Sequence, residues 1–70
     1  MDWMTEYRAI LRRHREAKGI SQYRLAKDLG MTPTFISEIE GGRKNPSLEV
    51  FFRICEALDI QLFPQEGQED

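Results

Sequence analysis

Start and stop signals for helices crowd the middle of this chain and leave little room for anything but short helices. Gly19 supplies a stop, Ser21 a start and Gly30 another stop. Thr32 offers an N-cap oxygen, and Pro33 follows at the first helical position, where its missing N–H costs nothing. Gly41-Gly42 closes that segment, Arg43-Lys44-Asn45-Pro46 reads as an exposed loop, and Ser47 caps a further helix. Upstream, Asp2 is placed to cap a first helix that runs to about Lys18.

The apolar residues fall at helical spacing within these bounds. Met4, Tyr7, Leu11 and His14 form one stripe, interrupted by the histidine. Leu25, Ala26 and Leu29 face inward from the second segment, and Ile36 and Ile39 from the third. Leu48, Phe51, Phe52, Cys55 and Leu58 form the apolar side of the fourth. A chain of 70 residues makes one small domain, burying only roughly 60% of its unfolded surface, so every apolar position counts. Hydrophobic residues at 40% against 31% charged mark a globular chain rather than a disordered one.

Several classes are excluded early. No apolar stretch approaches the ~20 residues that cross a bilayer, and the opening Met-Asp-Trp-Met lacks the basic and apolar regions of a secretory signal. One cysteine and one histidine cannot build a disulfide framework and argue against a zinc site within one chain. Paired carboxylates, a nucleophile with its base, and a phosphate-cradling glycine loop are all missing, so no catalytic residue, metal or cofactor is expected. The expectation is a non-enzymatic cytoplasmic domain.

The net charge of −2 hides an asymmetry. Arg8, Arg12, Arg13, Arg15, Lys18, Arg24 and Lys27 stand against Glu16 alone over residues 8–27, whereas both ends of the chain are acidic. A basic lobe on an acidic molecule suits a polyanion binder whose other faces repel the polyanion.

The end of the chain changes character. Ile60-Gln61-Leu62-Phe63 is β-branched and aromatic, and Pro64 stops it, so it reads as a strand. A lone strand in a helical chain needs a partner for its backbone. A second copy supplies one, as a two-stranded ribbon across a dimer axis; the alternative is a tail whose Ile60 and Leu62 merely cover the core. Residues 1–63 thus read as one domain and 64–70 as an acidic tail, expected to be disordered.

Two short helices joined through Leu29-Gly30-Met31-Thr32 form a helix-turn-helix pattern. Here the chain resembles the lambda repressor/Cro (XRE) family of DNA-binding domains. The resemblance lies in Ile20-Ser21-Gln22, Leu25-Ala26, Leu29-Gly30, Ile36-Ser37, Ile39-Glu40, Gly42-Arg43, Asn45-Pro46-Ser47-Leu48 and Ala57-Leu58, across roughly residues 8–62. Phe51 through Leu62 looks most like HipB-type antitoxins, in which the last strand pairs between subunits. The resemblance implies an all-α fold of four to five short helices around a central helix-turn-helix, plus a short C-terminal strand paired across a homodimer.

Helical geometry, at roughly 100° per residue, aims Thr34, Glu38 and Gly41 away from the Ile36–Ile39 side, with Phe35 and Ser37 flanking. Thr34, Phe35, Ser37 and Glu38 are therefore the candidate base readers. Threonine and phenylalanine suit thymine methyls, and a glutamate accepts from a cytosine amino group. Glu38 is also an acid entering a phosphate-lined groove, unless Arg43 neutralises it. Gln22 matches the family position that holds the DNA backbone, and Thr32, Arg43, Lys44 and Asn45 flank the reading helix as further phosphate candidates. Arg24 and Lys27 are candidates on the second helix, whereas bases on the first contribute long-range attraction only.

Arg15 lies only about 40° around its helix from Leu11, and Glu40 is equally close to Ile36, so both lean toward the core. The resemblance implies that they form an ion pair joining the first and third helices. His14 and Cys55 are read as packed structural residues, and Trp3 as either a core extension or a contact surface. The expected function is sequence-specific binding to double-stranded DNA by a dimeric repressor on an inverted repeat. The alternatives are an antitoxin that binds a toxin protein and autoregulates its operon, a restriction-modification controller, and a helix-turn-helix scaffold without DNA binding.

Overall fold

The structure is a computed structural model describing residues 3–62, with side chains from Glu6 onward. Four helices follow in order: α1 (Trp3–Ala17), α2 (Gln22–Leu29), α3 (Pro33–Glu40) and α4 (Leu48–Ala57). Three of them start on a hydroxyl cap. Ser21, Thr32 and Ser47 accept from the backbone N–H of Arg24, Phe35 and Val50 respectively, each satisfying one of the donors a helix start leaves open.

The stops share one device, a left-handed residue followed by a backbone bond that reaches back into the helix. After α2, Gly30 at φ 72° lets Met31 N–H reach the Ala26 carbonyl at 2.8 Å. After α3 the left-handed residue is Gly42 (φ 82°), and Arg43 N–H bonds the Glu38 carbonyl at 2.9 Å. The same turn after α4 is made by Asp59 (φ 59°), with Ile60 N–H on the Cys55 carbonyl; aspartate tolerates this region better than most side chains.

Leu11, Leu25, Ala26, Leu29, Ile36, Ile39, Ile54, Cys55 and Leu58 form the buried core. α2 packs most extensively on α3, α1 lies against α3, and α4 supports α2. Arg53 of α4 donates through Nη2 to the Leu29 carbonyl at 2.7 Å, satisfying a carbonyl at the end of α2. Tyr7 joins α1 to α4 by an edge-on contact with Phe51, at 5.7 Å and 87°.

Two expectations need correction. His14 is exposed, because α1 buries the row Leu11 and Arg15, four residues apart, with Tyr7 half-buried on it; His14 lies about 100° around from Arg15. Leu48 (67% exposed) and Phe52 (42%) are outside the core, whereas Ile54, 2% exposed, takes the inward place beside Cys55 and Leu58. The terminal strand, expected to pair across a dimer, is not shown in the single chain. Among the described residues there is none: Ile60, Gln61 and Leu62 follow α4 outside any helix or strand, since a lone segment has no ladder partner in its own chain. Ile60 packs on the core, whereas Leu62 is 40% exposed. Asp2, Phe63 and the 64–70 tail lie outside the described residues. Among the described residues no helix is long and apolar enough to cross a membrane.

Candidate nucleic-acid interface

Burying Ile36 and Ile39, each 1% exposed, fixes the orientation of α3. Its opposite edge is left outward: Thr34 is exposed, and Phe35, Ser37 and Glu38 are half-buried beside it. Phe35 also packs against the core, so part of its ring is committed to folding. Thr32 is exposed, but its hydroxyl oxygen already accepts from Phe35 N–H at 3.1 Å.

Beside this edge lies a buried polar junction. Arg15 donates through Nε to Glu40 Oε2 at 2.7 Å and through Nη2 to Oε1 at 3.1 Å, while Nη1 bonds the Ile20 carbonyl at 2.8 Å. The pair lies between α1 and α3, with the two side chains 10% and 6% exposed. The Glu40 hydrogen bond holds the Arg15 guanidinium above its ordinary pKa, against the opposing effect of burial. Gln22 joins this junction, its Nε2 donating to Glu40 Oε1 at 2.9 Å. Among the described residues no buried side-chain nitrogen or oxygen lacks a partner.

Arg12, Gln22, Ser37, Glu40 and Arg43 line a polar recess of about 210 Å³ above Arg15. The fold thereby brings together the start of α2, the edge of α3 and the loop after it. Arg43 is exposed, its Nη1 folded back against Gly41, where a Cβ would stand 3.0 Å away. Arg12, a base expected to act only at long range, borders this recess and pairs with Glu16 at 3.1 Å. Its spacing of three from Arg15 was the available signal. Arg8, another first-helix base expected to act only at long range, lies against the same loop: a Cβ on Gly42 would stand 3.0 Å from the Arg8 Nε.

The remaining candidates are placed differently. Lys27 is exposed on α2, and Arg24, also exposed, pairs with Asp28 at 3.2 Å; neither borders the recess. Asn45 accepts through Oδ1 from the Tyr7 hydroxyl at 3.1 Å, which anchors the loop to α1. The cation beside Glu38 is Lys44 rather than Arg43, with Nζ 3.6 Å from Oε1. Among the described residues no cluster of three or more metal-binding side chains occurs.

Residues 11–64 match the HTH_3 helix-turn-helix family. Among curated proteins, the chain is 37% identical over 54 residues to the ImmF control region 10 kDa protein of Bacillus phage phi105, covering 77% of this chain and 60% of the relative. It is 36% identical over 66 residues to an uncharacterized HTH-type transcriptional regulator of Methanothermobacter thermautotrophicus, covering 86% of this chain and 96% of the relative. No solved structure matches. With its second and third helices joined through Gly30 and the third exposed along its outer edge, the chain belongs to the XRE-type helix-turn-helix family.

Proposed function

We propose that this chain is a sequence-specific regulator of transcription that binds double-stranded DNA as a homodimer, acting as a repressor on an inverted repeat. The observation that carries this reading is α3 itself: Ile36 and Ile39 are buried to 1% while Thr34 stays exposed on the opposite edge. An α-helix presented in this way fits the major groove. Thr34, Phe35, Ser37 and Glu38 meet base edges. Arg43, Lys44 and the loop backbone at Asn45 hold one phosphate flank, and Gln22, Thr32, Arg24 and Lys27 serve the other. The two matched relatives, a phage control-region protein and an HTH-type transcriptional regulator, support the same reading.

An apolar groove supports the dimer. Tyr7, Ile10, Phe51, Cys55, Ile60 and Leu62 line about 230 Å³ on the side of α1 and α4. The second copy covers this groove and pairs the segment that starts at Ile60 as a two-stranded ribbon. The dimer addresses half-sites with centres about 34 Å apart or a multiple of that. Such a protein works inside the cell, on the chromosome.

Footprinting the purified chain on the region upstream of its own gene tests the reading. Protection of two symmetric half-sites is expected, with Thr34→Ala changing the preferred sequence. A folded chain that protects no duplex would refute the proposal. A monomer in equilibrium sedimentation that still protects both half-sites would remove the dimer from it.

A further inference from the structure

The outward edge of α3 carries one acid, and the loop that follows is built back onto it. Lys44 Nζ lies 3.6 Å from Glu38 Oε1 and 5.8 Å from the Phe35 ring centroid. The amides of Arg43 and Lys44 both donate to the Glu38 carbonyl, at 2.9 and 3.2 Å. Backbone and side chain of a single residue thus hold the cationic loop. Among the described residues Arg43, the neighbouring cation, forms no ion pair with any carboxylate.

We propose that Lys44 is a base-gated phosphate contact, held by Glu38 until that carboxylate accepts a hydrogen bond from a cytosine amino group. The proposal rests on the DNA-binding reading above and assigns a specificity mechanism to the same site.

The gate follows from the electrostatics of the pair. The Lys44 side chain is 56% exposed and that of Glu38 27%, so water screens their attraction and the contact is readily surrendered. Surrender on an arbitrary duplex, however, leaves the Glu38 carboxylate unneutralised among phosphates, where repulsion restores the pair. A cytosine at the facing position changes the balance. Its amino group supplies the carboxylate with a donor, and the ammonium is freed for a phosphate oxygen. Arg43 has no such restraint and grips every sequence. Two adjacent cations of the same loop therefore differ: one contributes affinity to any duplex, the other only to the preferred one.

Counterion release separates the two behaviours, because each phosphate neutralised adds about 0.9 to the slope of log affinity against log salt. The full-length chain is titrated by fluorescence anisotropy against a duplex selected from a random library and against an unrelated duplex of equal length. Arg43→Ala should reduce both slopes by about 0.9 per subunit, as the internal standard. Lys44→Ala should reduce the slope on the selected duplex by the same amount and leave that on the unrelated duplex nearly unchanged. Glu38→Gln should steepen the unrelated-duplex slope by about 0.9 per subunit and erase a cytosine preference in the selected site. Arg43 and Lys44 are exposed and Glu38 is half-buried, and circular dichroism of each variant confirms folding. Equal slope losses on both duplexes for Lys44→Ala would overturn the gate while leaving DNA binding intact. An unrelated-duplex slope unmoved by Glu38→Gln would overturn it as well. A wild-type chain that binds no duplex would overturn the gate together with the reading beneath it.

Discussion

Removing the Arg15 guanidinium strikes the one charged pair that, among the described residues, lies in the interior. Arg15→Ala leaves the Glu40 carboxylate, 6% exposed, with the Gln22 amide as its remaining donor, and deprives the Ile20 carbonyl of its bond to Nη1. A buried charge stripped of its partner costs about 3–5 kcal/mol. Total stability for a chain of this length is about 4–10 kcal/mol, so the variant should lose a third of it or more. At about 4–8 °C per kcal/mol, the melting temperature should fall by at least ~12 °C, and at the lower end of that range of stabilities the variant is expected to be largely unfolded. Urea unfolding followed by circular dichroism measures the free energy, and a thermal scan measures the midpoint. The comparison that tests the reasoning is the double variant Arg15→Met/Glu40→Leu, which removes both charges while keeping similar volume. It should lie within about 2 kcal/mol of the parent, since no orphaned charge remains. A single variant within about 1 kcal/mol of the parent, or a double variant as unstable as the single, would refute the argument. The DNA affinity of the folded fraction should change less than stability does.

Other perturbations have equally definite outcomes. Arg43→Ala should weaken binding to all duplexes alike, by roughly three- to tenfold at moderate salt, as filter binding would show. Burial pushes the Cys55 thiol up from its ordinary value, so native protein should resist alkylation until urea unfolds it. The unfolded chain releases that proton at lower pH than the folded one. The stability is therefore complete below the ordinary thiol range, about 8.5, and declines as pH rises through it; Cys55→Ala should abolish this alkaline decline in urea titrations. Gly30→Ala places a Cβ where no atom lies within 4 Å but φ is +72°, so only backbone strain is added. A loss of about 1 kcal/mol is expected by thermal unfolding, with no change in the sequence preferred.

The helical punctuation was legible because caps and left-handed stops act within a few residues. Ser21, Thr32, Ser47 and the glycine turns stand in the structure where local rules put them, bonded to backbone groups three to five residues away. The inward faces of α2 and α3 were legible for the same reason, since each is short enough to present a single apolar side. α1 and α4 were harder. Both carry more apolar residues than the core accepts, and only the directions from which their neighbours approach decide that Arg15 is inside and His14 outside, or that Ile54 replaces Phe52.

The candidate site divides in the same way. Helix periodicity placed Thr34 and Glu38 on the edge opposite Ile36 and Ile39, because that requires only one helix and its core. The partners of these residues lie far away in sequence. Gln22 meets Glu40 eighteen positions on, and Asn45 meets Tyr7 thirty-eight positions back. Lys44 rather than Arg43 approaches Glu38, its ammonium lying over the Phe35 ring after the turn at Gly42. The amino-acid order alone determined where α2 and α3 begin and end, where α4 begins and which edge of α3 can face outward, all of which are short-range consequences of backbone geometry. Which charges are neutralised, and by whom, was settled only when four helices packed, because electrostatic pairing depends on distances that the packing creates.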